Sequence, residues 1–140
     1  MYICGEGICN GVSDQSWTAS IAQNTKALII ALEHRYYGES LPFRAKSFEI
    51  ENLKYLSSKQ ALKDMAYFIE EIKKNRMHGV TASNKWITIG GSYPGALSAW
   101  FRAKYPHLTV GAIASSAVVL AVEDFRDFDE QIYLSANKSG

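Results

Sequence analysis

The chain has 140 residues, about one domain by length, with 15 Lys plus Arg against 14 Asp plus Glu for a formal net charge of +1. Charges so nearly cancelled give no electrostatic case for nucleic acid, a membrane surface or a strongly charged partner. No stretch reaches the roughly 18–20 apolar residues of a membrane span, and no basic segment followed by an apolar run opens the chain as a signal peptide would.

Met1 runs straight into Tyr2-Ile3-Cys4-Gly5, which reads as a strand already under way, so any signal peptide is expected upstream. Cys4 and Cys9 are the only cysteines, and no second pair or nearby His cluster makes them a metal site. Two loop thiols, a disulfide to each other and a disulfide to another part of the protein all remain open. A short helix is expected after Ser13, with Trp17 and Ile21 on one face.

Ala27 to Glu33 is short, nearly all apolar and rich in Ile and Leu, as expected of a strand covered on both faces in a mostly parallel sheet. Trp86 to Ile89 and Val110 to Ala114 have the same character. Between them, Leu62, Met65, Ala66, Ile69 and Ile72 recur at spacings of three and four, which predicts a helix over Ala61 to Met77. Ser57 with Gln60 suits a capping box, and Gly79 suits the C-terminal stop. Another helix should run from Pro94 to Tyr105, because Pro fits a first turn and Pro106 cannot extend it. Strand and helix thus alternate. That order implies α/β architecture, parallel strands joined by right-handed crossovers, with ligands bound beyond the C-terminal strand ends.

The chemistry-bearing segment is Gly90-Gly91-Ser92-Tyr93-Pro94-Gly95, between the strand Trp86 to Ile89 and a helix. A serine on a sharp strand-to-helix turn projects its Oγ above the sheet as a nucleophile elbow does. Gly90 and Gly91 are expected to take strained dihedrals and to let strand and helix approach. The helix N-terminus favours developing negative charge, and the Tyr93 amide is the expected oxyanion donor. The pattern departs from G-x-S-x-G, since Pro94 holds the second position after Ser92 and Gly95 follows one place later. An ordinary Gly-Ser turn is the competing reading. No Gly-Lys-Ser/Thr ending supports a phosphate loop.

Glu33-His34-Arg35-Tyr36-Tyr37-Gly38-Glu39-Ser40, followed downstream by Gly90-Gly91-Ser92-Tyr93-Pro94-Gly95-Ala96-Leu97-Ser98-Ala99-Trp100, resembles the S28 serine exopeptidases. That family includes lysosomal Pro-X carboxypeptidase, dipeptidyl peptidase II and thymus-specific serine protease, and the wording of the elbow is most similar to the last. Cys4-Gly5-Glu6-Gly7, Tyr55 to Leu62 and Ala114-Ser115-Ser116-Ala117 are lesser matches.

The resemblance implies an α/β-hydrolase core over residues 1–122, with residues 123–140 opening a helical cap insertion. It also implies peptide substrates cut next to proline, no metal or cofactor, and a lysosomal, vacuolar or secreted protein. Gly5, Glu6 and Gly7 then form the candidate second oxyanion loop, although the residues alone read equally well as a structural turn.

In this fold the catalytic order is Ser, then Asp or Glu, then His. His34 and His78 precede Ser92, and His107 follows it with no intervening acid strand. His34 is expected to pack and hydrogen-bond beneath the site, and His78 and His107 to sit at helix ends. Asp124, Asp127 and Asp129 cluster with Glu123, Arg126 and Glu130 as a solvated helical face. The acid and base are therefore expected beyond Gly140, and the chain is expected to be an inactive fragment. The rival readings are an esterase or lipase on the same fold and a non-catalytic truncated product or binding module. Asn137-Lys138-Ser139 also matches an N-glycosylation sequon.

Overall fold

The computed structural model describes residues 1–139. Its short apolar runs pair into one parallel sheet of β1 (Tyr2–Ile3), β2 (Ala31–Leu32), β3 (Ile87–Gly91) and β4 (Gly111–Ser115), ordered β2-β1-β3-β4. Tyr2 pairs with Ala31 on one side and Ile89 on the other, and Ile87 to Gly91 run in register with Gly111 to Ser115. Helices α1 (Trp17–Thr25), α2 (Ser58–Lys74) and α3 (Tyr93–Lys104) connect successive strands, and α4 (Arg126–Lys138) follows β4.

The step from β1 to β2 runs one way across the sheet, whereas the steps to β3 and then β4 run the other way. Right-handed crossovers therefore place α1 on one face and α2 with α3 on the opposite face. Side chains agree with this. Ile21 and Ala22 of α1 line a cavity with Ile87 and Ile89, while the intervening Thr88 turns to the other face and accepts a hydrogen bond from Ser98 Oγ of α3 at 2.8 Å. The reversal of direction falls between β1 and β3. In open sheets of this kind ligands bind beyond the C-terminal strand ends near that reversal.

The core lies mainly on the α2–α3 face. Leu62, Met65, Ala66, Ile69 and Ile72 present the apolar stripe of α2, and Leu97 and Phe101 of α3 are fully buried against it and the sheet. Ser57 caps α2 by accepting the Gln60 N–H at 3.3 Å. The helix stops at Lys74, three residues short of the expected Met77. Asn75 turns its N–H back to the Glu71 carbonyl, and Arg76 is left-handed at φ 49°. Gly79, at φ 75°, closes a short 3-10 turn over Met77–Gly79 rather than the helix.

Two other expectations need correction. The run Ala27 to Glu33 enters the ladder only around Ala31–Leu32, where the carbonyls of Ile30 and Leu32 accept the N–H groups of Tyr2 and Cys4. Among the described residues β2 is an edge strand paired only with β1, so Leu28 lacks a facing strand and is 55% exposed. In α1 the buried face is Thr18, Ala19 and Ala22, small residues that seat the helix on the sheet, while Trp17 is 52% exposed.

Beyond β4 nearly all the described residues are exposed. Asp124, Asp127 and Asp129 are exposed, as expected, but so are Val118, Val119, Leu120, Phe125, Phe128 and Ile132. No helix among the described residues is long and apolar enough to cross a membrane.

The buried Thr88–Ser98 hydroxyl pair makes a checkable case for polar satisfaction inside this core. Thr88→Val leaves the Ser98 hydroxyl without its partner and should cost about 1–3 kcal/mol. The double substitution with Ser98→Ala should cost clearly less than the sum of the single ones. Urea unfolding of the four proteins measures the coupling, and strict additivity would contradict it.

Candidate active site

β3 passes directly into α3 through Ser92, whose φ of 58° and ψ of −128° lie in a region otherwise almost confined to glycine. Such a conformation costs on the order of 1–3 kcal/mol and persists only where its surroundings fix it. The fixing is visible on both sides. The Ser92 N–H extends the sheet to the Ser115 carbonyl at 3.0 Å, and the Ser92 carbonyl accepts the Ala96 N–H at 3.1 Å as the first helical bond. Ser92 is exposed, and its side chain makes no capping bond. The turn thus lifts Oγ clear of the sheet at the positive end of α3. The Tyr93 N–H, in the first turn, has no acceptor among the described residues and adjoins that Oγ.

Close approach, rather than glycine dihedrals, explains the neighbouring glycines. A Cβ on Gly90 would overlap the Pro94 carbonyl, and one on Gly95 would lie 2.8 Å from the Ser115 carbonyl and 3.2 Å from Ala117 Cβ. Gly91 differs, since its nearest neighbour would be the Ser115 carbonyl at 3.9 Å, an ordinary contact. None of the three has a left-handed φ. The expectation that Gly90 and Gly91 carry the backbone strain is corrected: Ser92 carries it, and Gly90 and Gly95 make room. The displaced glycine also finds its reason here. Pro94 at the second position is buried against Gly5, where a Cβ would come within 2.9 Å of Pro94 Cγ, and Gly95 packs under β4 instead.

The loop after β1 therefore abuts the elbow. Cys4 and Cys9 form a disulfide to each other, which resolves the alternatives left open by spacing and closes a short loop around Gly5, Glu6, Gly7 and Ile8. Glu6 and Gly7 are exposed, and Gly7 has open space around its Cβ position.

The segment after β2 is organised by one carboxylate. Glu33 accepts the Cys9 N–H at 3.1 Å, the Glu39 N–H at 3.0 Å, and both the N–H and the hydroxyl of Ser40 at 2.9 and 2.7 Å. Gly38, at φ 56°, has no room for a Cβ beside that carboxylate. The Ser40 hydroxyl, followed by the Cys9 amide, holds the Glu33 carboxyl below its ordinary value of 4.5. Arg35 forks onto Asp64 of α2 at 2.6 and 2.5 Å and also donates to the Tyr55 carbonyl at 3.0 Å.

His34 is 6% exposed. Its Nδ1 faces the Arg35 carbonyl at 2.7 Å, which assigns the proton to Nδ1 and leaves Nε2 to accept from the Tyr93 hydroxyl at 2.9 Å. Burial, with lesser contributions from the charges of Glu6 and Tyr37, pushes the Tyr93 hydroxyl up to about 12. His34, Tyr93, Glu6, Tyr37, Leu56, Ser57 and Ser58 together line an open cleft of about 350 Å³ beside the elbow.

His78 lies in the turn after α2, and His107 lies past the end of α3. Both helices run back against the strands, so these histidines sit at the sheet edge away from Ser92. Of the three histidines, only His34 is brought to the elbow, where Tyr93 occupies its free nitrogen.

A family model described as serine carboxypeptidase S28 matches residues 1–140. The chain belongs to the serine carboxypeptidase S28 family. Among curated relatives, it is 50% identical to the probable serine protease EDA2 of Arabidopsis thaliana over 99% of this chain and 29% of that protein. It is 49% identical to human lysosomal Pro-X carboxypeptidase over 74% of this chain and 21% of the relative. To human thymus-specific serine protease it is 39% identical over 94% of this chain and 25% of the relative. The chain thus spans less than a third of the length of each of these relatives. Over these alignments the thymus-specific protease does not stand out, whatever the wording of the elbow.

For this S28 chain, the parallel sheet, its crossovers and the strand–turn–helix at Ser92 agree with an α/β-hydrolase core. Sequence reasoning did not find the role of Glu33, the Tyr93–His34 hydrogen bond or the packing of Gly95 under β4. Gly38 and Ser40, so close after an acidic strand end, were the available signal for the first.

Two predictions test this geometry. Gly90→Ala should destabilise by about 1–3 kcal/mol through overpacking, while Gly91→Ala should change thermal stability little; equal effects would contradict the assignment. Because the folded-state pKa of Glu33 is lowered, the native state binds fewer protons than the unfolded one below the ordinary glutamate value. The stabilisation is therefore full above that value and is lost as pH falls through the lower, folded-state pKa. Glu33→Gln should flatten that limb of a stability–pH curve measured by urea unfolding.

Proposed function

We propose that this chain is the nucleophile-bearing part of a serine exopeptidase that cuts peptides next to proline, with Ser92 as the attacking residue. The observation that carries the reading is the backbone of Ser92 itself: a costly conformation maintained at an exposed serine, next to an unpaired amide at a helix N-terminus. Strain kept where no packing benefits from it is characteristic of a functional site.

A base takes the Ser92 Oγ proton as Oγ bonds to the scissile carbonyl carbon. The Tyr93 N–H and an amide of the Gly5–Glu6–Gly7 loop hold the resulting oxyanion. Collapse expels the amine, which receives the proton, and water then releases the acyl group from Ser92 by the same sequence. His34 positions Tyr93 through its hydroxyl and thereby steadies the amide beside Ser92. No metal or cofactor enters the scheme.

The base and its acid partner come from a His and an Asp beyond residue 140. Support comes from the engaged Nε2 of His34, the placement of His78 and His107 at the other sheet edge, and the greater length of the relatives. On this reading residues 1–122 are the partial core and residues 123–140 the start of a helical cap insertion. The Cys4–Cys9 disulfide and the likeness to human lysosomal Pro-X carboxypeptidase support a lysosomal, vacuolar or secreted setting.

The test is covalent labelling of the intact gene product with a fluorophosphonate, combined with turnover of proline-containing peptides. Ser92→Ala should abolish labelling and lower kcat by on the order of 10⁴–10⁶. Labelling that survives the substitution would remove Ser92 from the role. Labelling without peptide cleavage, joined to turnover of simple esters, would keep the nucleophile and overturn the peptidase assignment.

A further inference from the structure

We infer that Asn137 carries an N-linked glycan, which marks the outward side of α4. Asn137-Lys138-Ser139 is the only N-x-S/T triplet in the 140 residues, and its middle residue is not proline. Asn137 lies in the last turn of α4 and is exposed. Neighbouring side-chain bonds run from Gln131 to the Ser135 hydroxyl and from Ser139 to the Ser135 carbonyl. Among the described residues the Asn137 amide is left free.

Its position around the helix is a second, independent observation. At 3.6 residues per turn, Asn137 sits about 140–180° from Phe128 and Ile132, the core of the exposed apolar stripe. It shares a side with Arg126 and Glu130, within about 20° of each, although Tyr133 lies close to that row. A helix with this pattern buries its Phe128–Ile132 side against a partner layer. The amide of Asn137 remains outside when it does so.

The compartment supplies the third. Cys4 and Cys9 are paired, which belongs to an oxidising, secretory environment. There an oligosaccharide passes from a lipid-linked pyrophosphate donor to Asn137 Nδ2. A C–N bond forms as the glycosyl–phosphate bond breaks, Nδ2 loses a proton, and the lipid pyrophosphate leaves. The glycan then bars the Asn137 side of α4 from burial, so that only the Phe128–Ile132 side is available for packing.

The experiment expresses the intact gene product in a eukaryotic secretory host and treats it with peptide-N-glycosidase, with peptide mass spectrometry at residue 137 and thiol titration in parallel. The expected result is an Asn-to-Asp conversion at 137 after deglycosylation, its loss in both Ser139→Ala and Asn137→Gln, and no free thiol at Cys4 or Cys9. An unmodified Asn137 in secreted protein with the Cys4–Cys9 disulfide formed overturns the assignment. Free Cys4 and Cys9 thiols would overturn the compartment on which it rests. Neither readout depends on peptidase activity.

Discussion

Ser92 holds a left-handed φ because the backbone around it is crowded from three directions. Its N–H is committed to β4, its carbonyl to the first turn of α3, and close backbone packing at Gly90 and Gly95 hems in the turn on both sides. Gly90 lies against the Pro94 carbonyl, Gly95 against Ser115, and Pro94 against Gly5. Three chain segments that are far apart in sequence thus meet at one turn. The sheet order β2-β1-β3-β4 follows from the same meeting, since β1 must sit beside β3 for Gly5 to reach Pro94.

The surroundings of the elbow are polar networks with few loose ends. Glu33 gathers the loops after β1 and β2 onto one carboxylate, and Arg35 ties the second of these to α2 through Asp64. His34, between them, spends one nitrogen on the Arg35 carbonyl and the other on Tyr93. Fully partnered groups of this kind rigidify a site, whereas half-partnered ones would weaken it. The Ser92 hydroxyl and the Tyr93 amide stand apart from this pattern, because among the described residues neither has a hydrogen-bond partner.

How much of this was legible in the sequence depended on whether the signal was local. The stripe Leu62–Met65–Ala66–Ile69–Ile72 and the cap at Ser57 are local facts, and α2 formed where they pointed. Its end was not, because Asn75 and Arg76 broke the helix ahead of Gly79 by side-chain and left-handed backbone geometry that composition does not reveal. Apolar character alone made Ala27 to Glu33 look like one strand covered on both faces, yet the ladder is set by neighbouring strands, and among the described residues β2 pairs only with β1, over Ala31–Leu32. The turn at Ser92 was readable because a strand, glycines and a helix follow one another directly in the sequence. Which glycine serves space and which is dispensable was not readable, since the distances from Gly90 and Gly91 to Pro94 and Ser115 exist only in the folded chain.

The central pairing of the sheet has a consequence in time as well as in space. Met1 donates to the Ile87 carbonyl across a separation of 86 residues, and Ile89 donates back to Met1. During synthesis, α2 can pack on β1 and on the segment after β2, but not on β3 and α3 until they leave the ribosome. Until then β1 lacks β3 on its inner edge, and the part of the α2 stripe that meets Leu97 and Phe101 waits uncovered. Long-range closure of this kind is entropically slow. The interval between the emergence of α2 and of Ile87 to Gly91 is therefore when a nascent chain of this design most needs a chaperone.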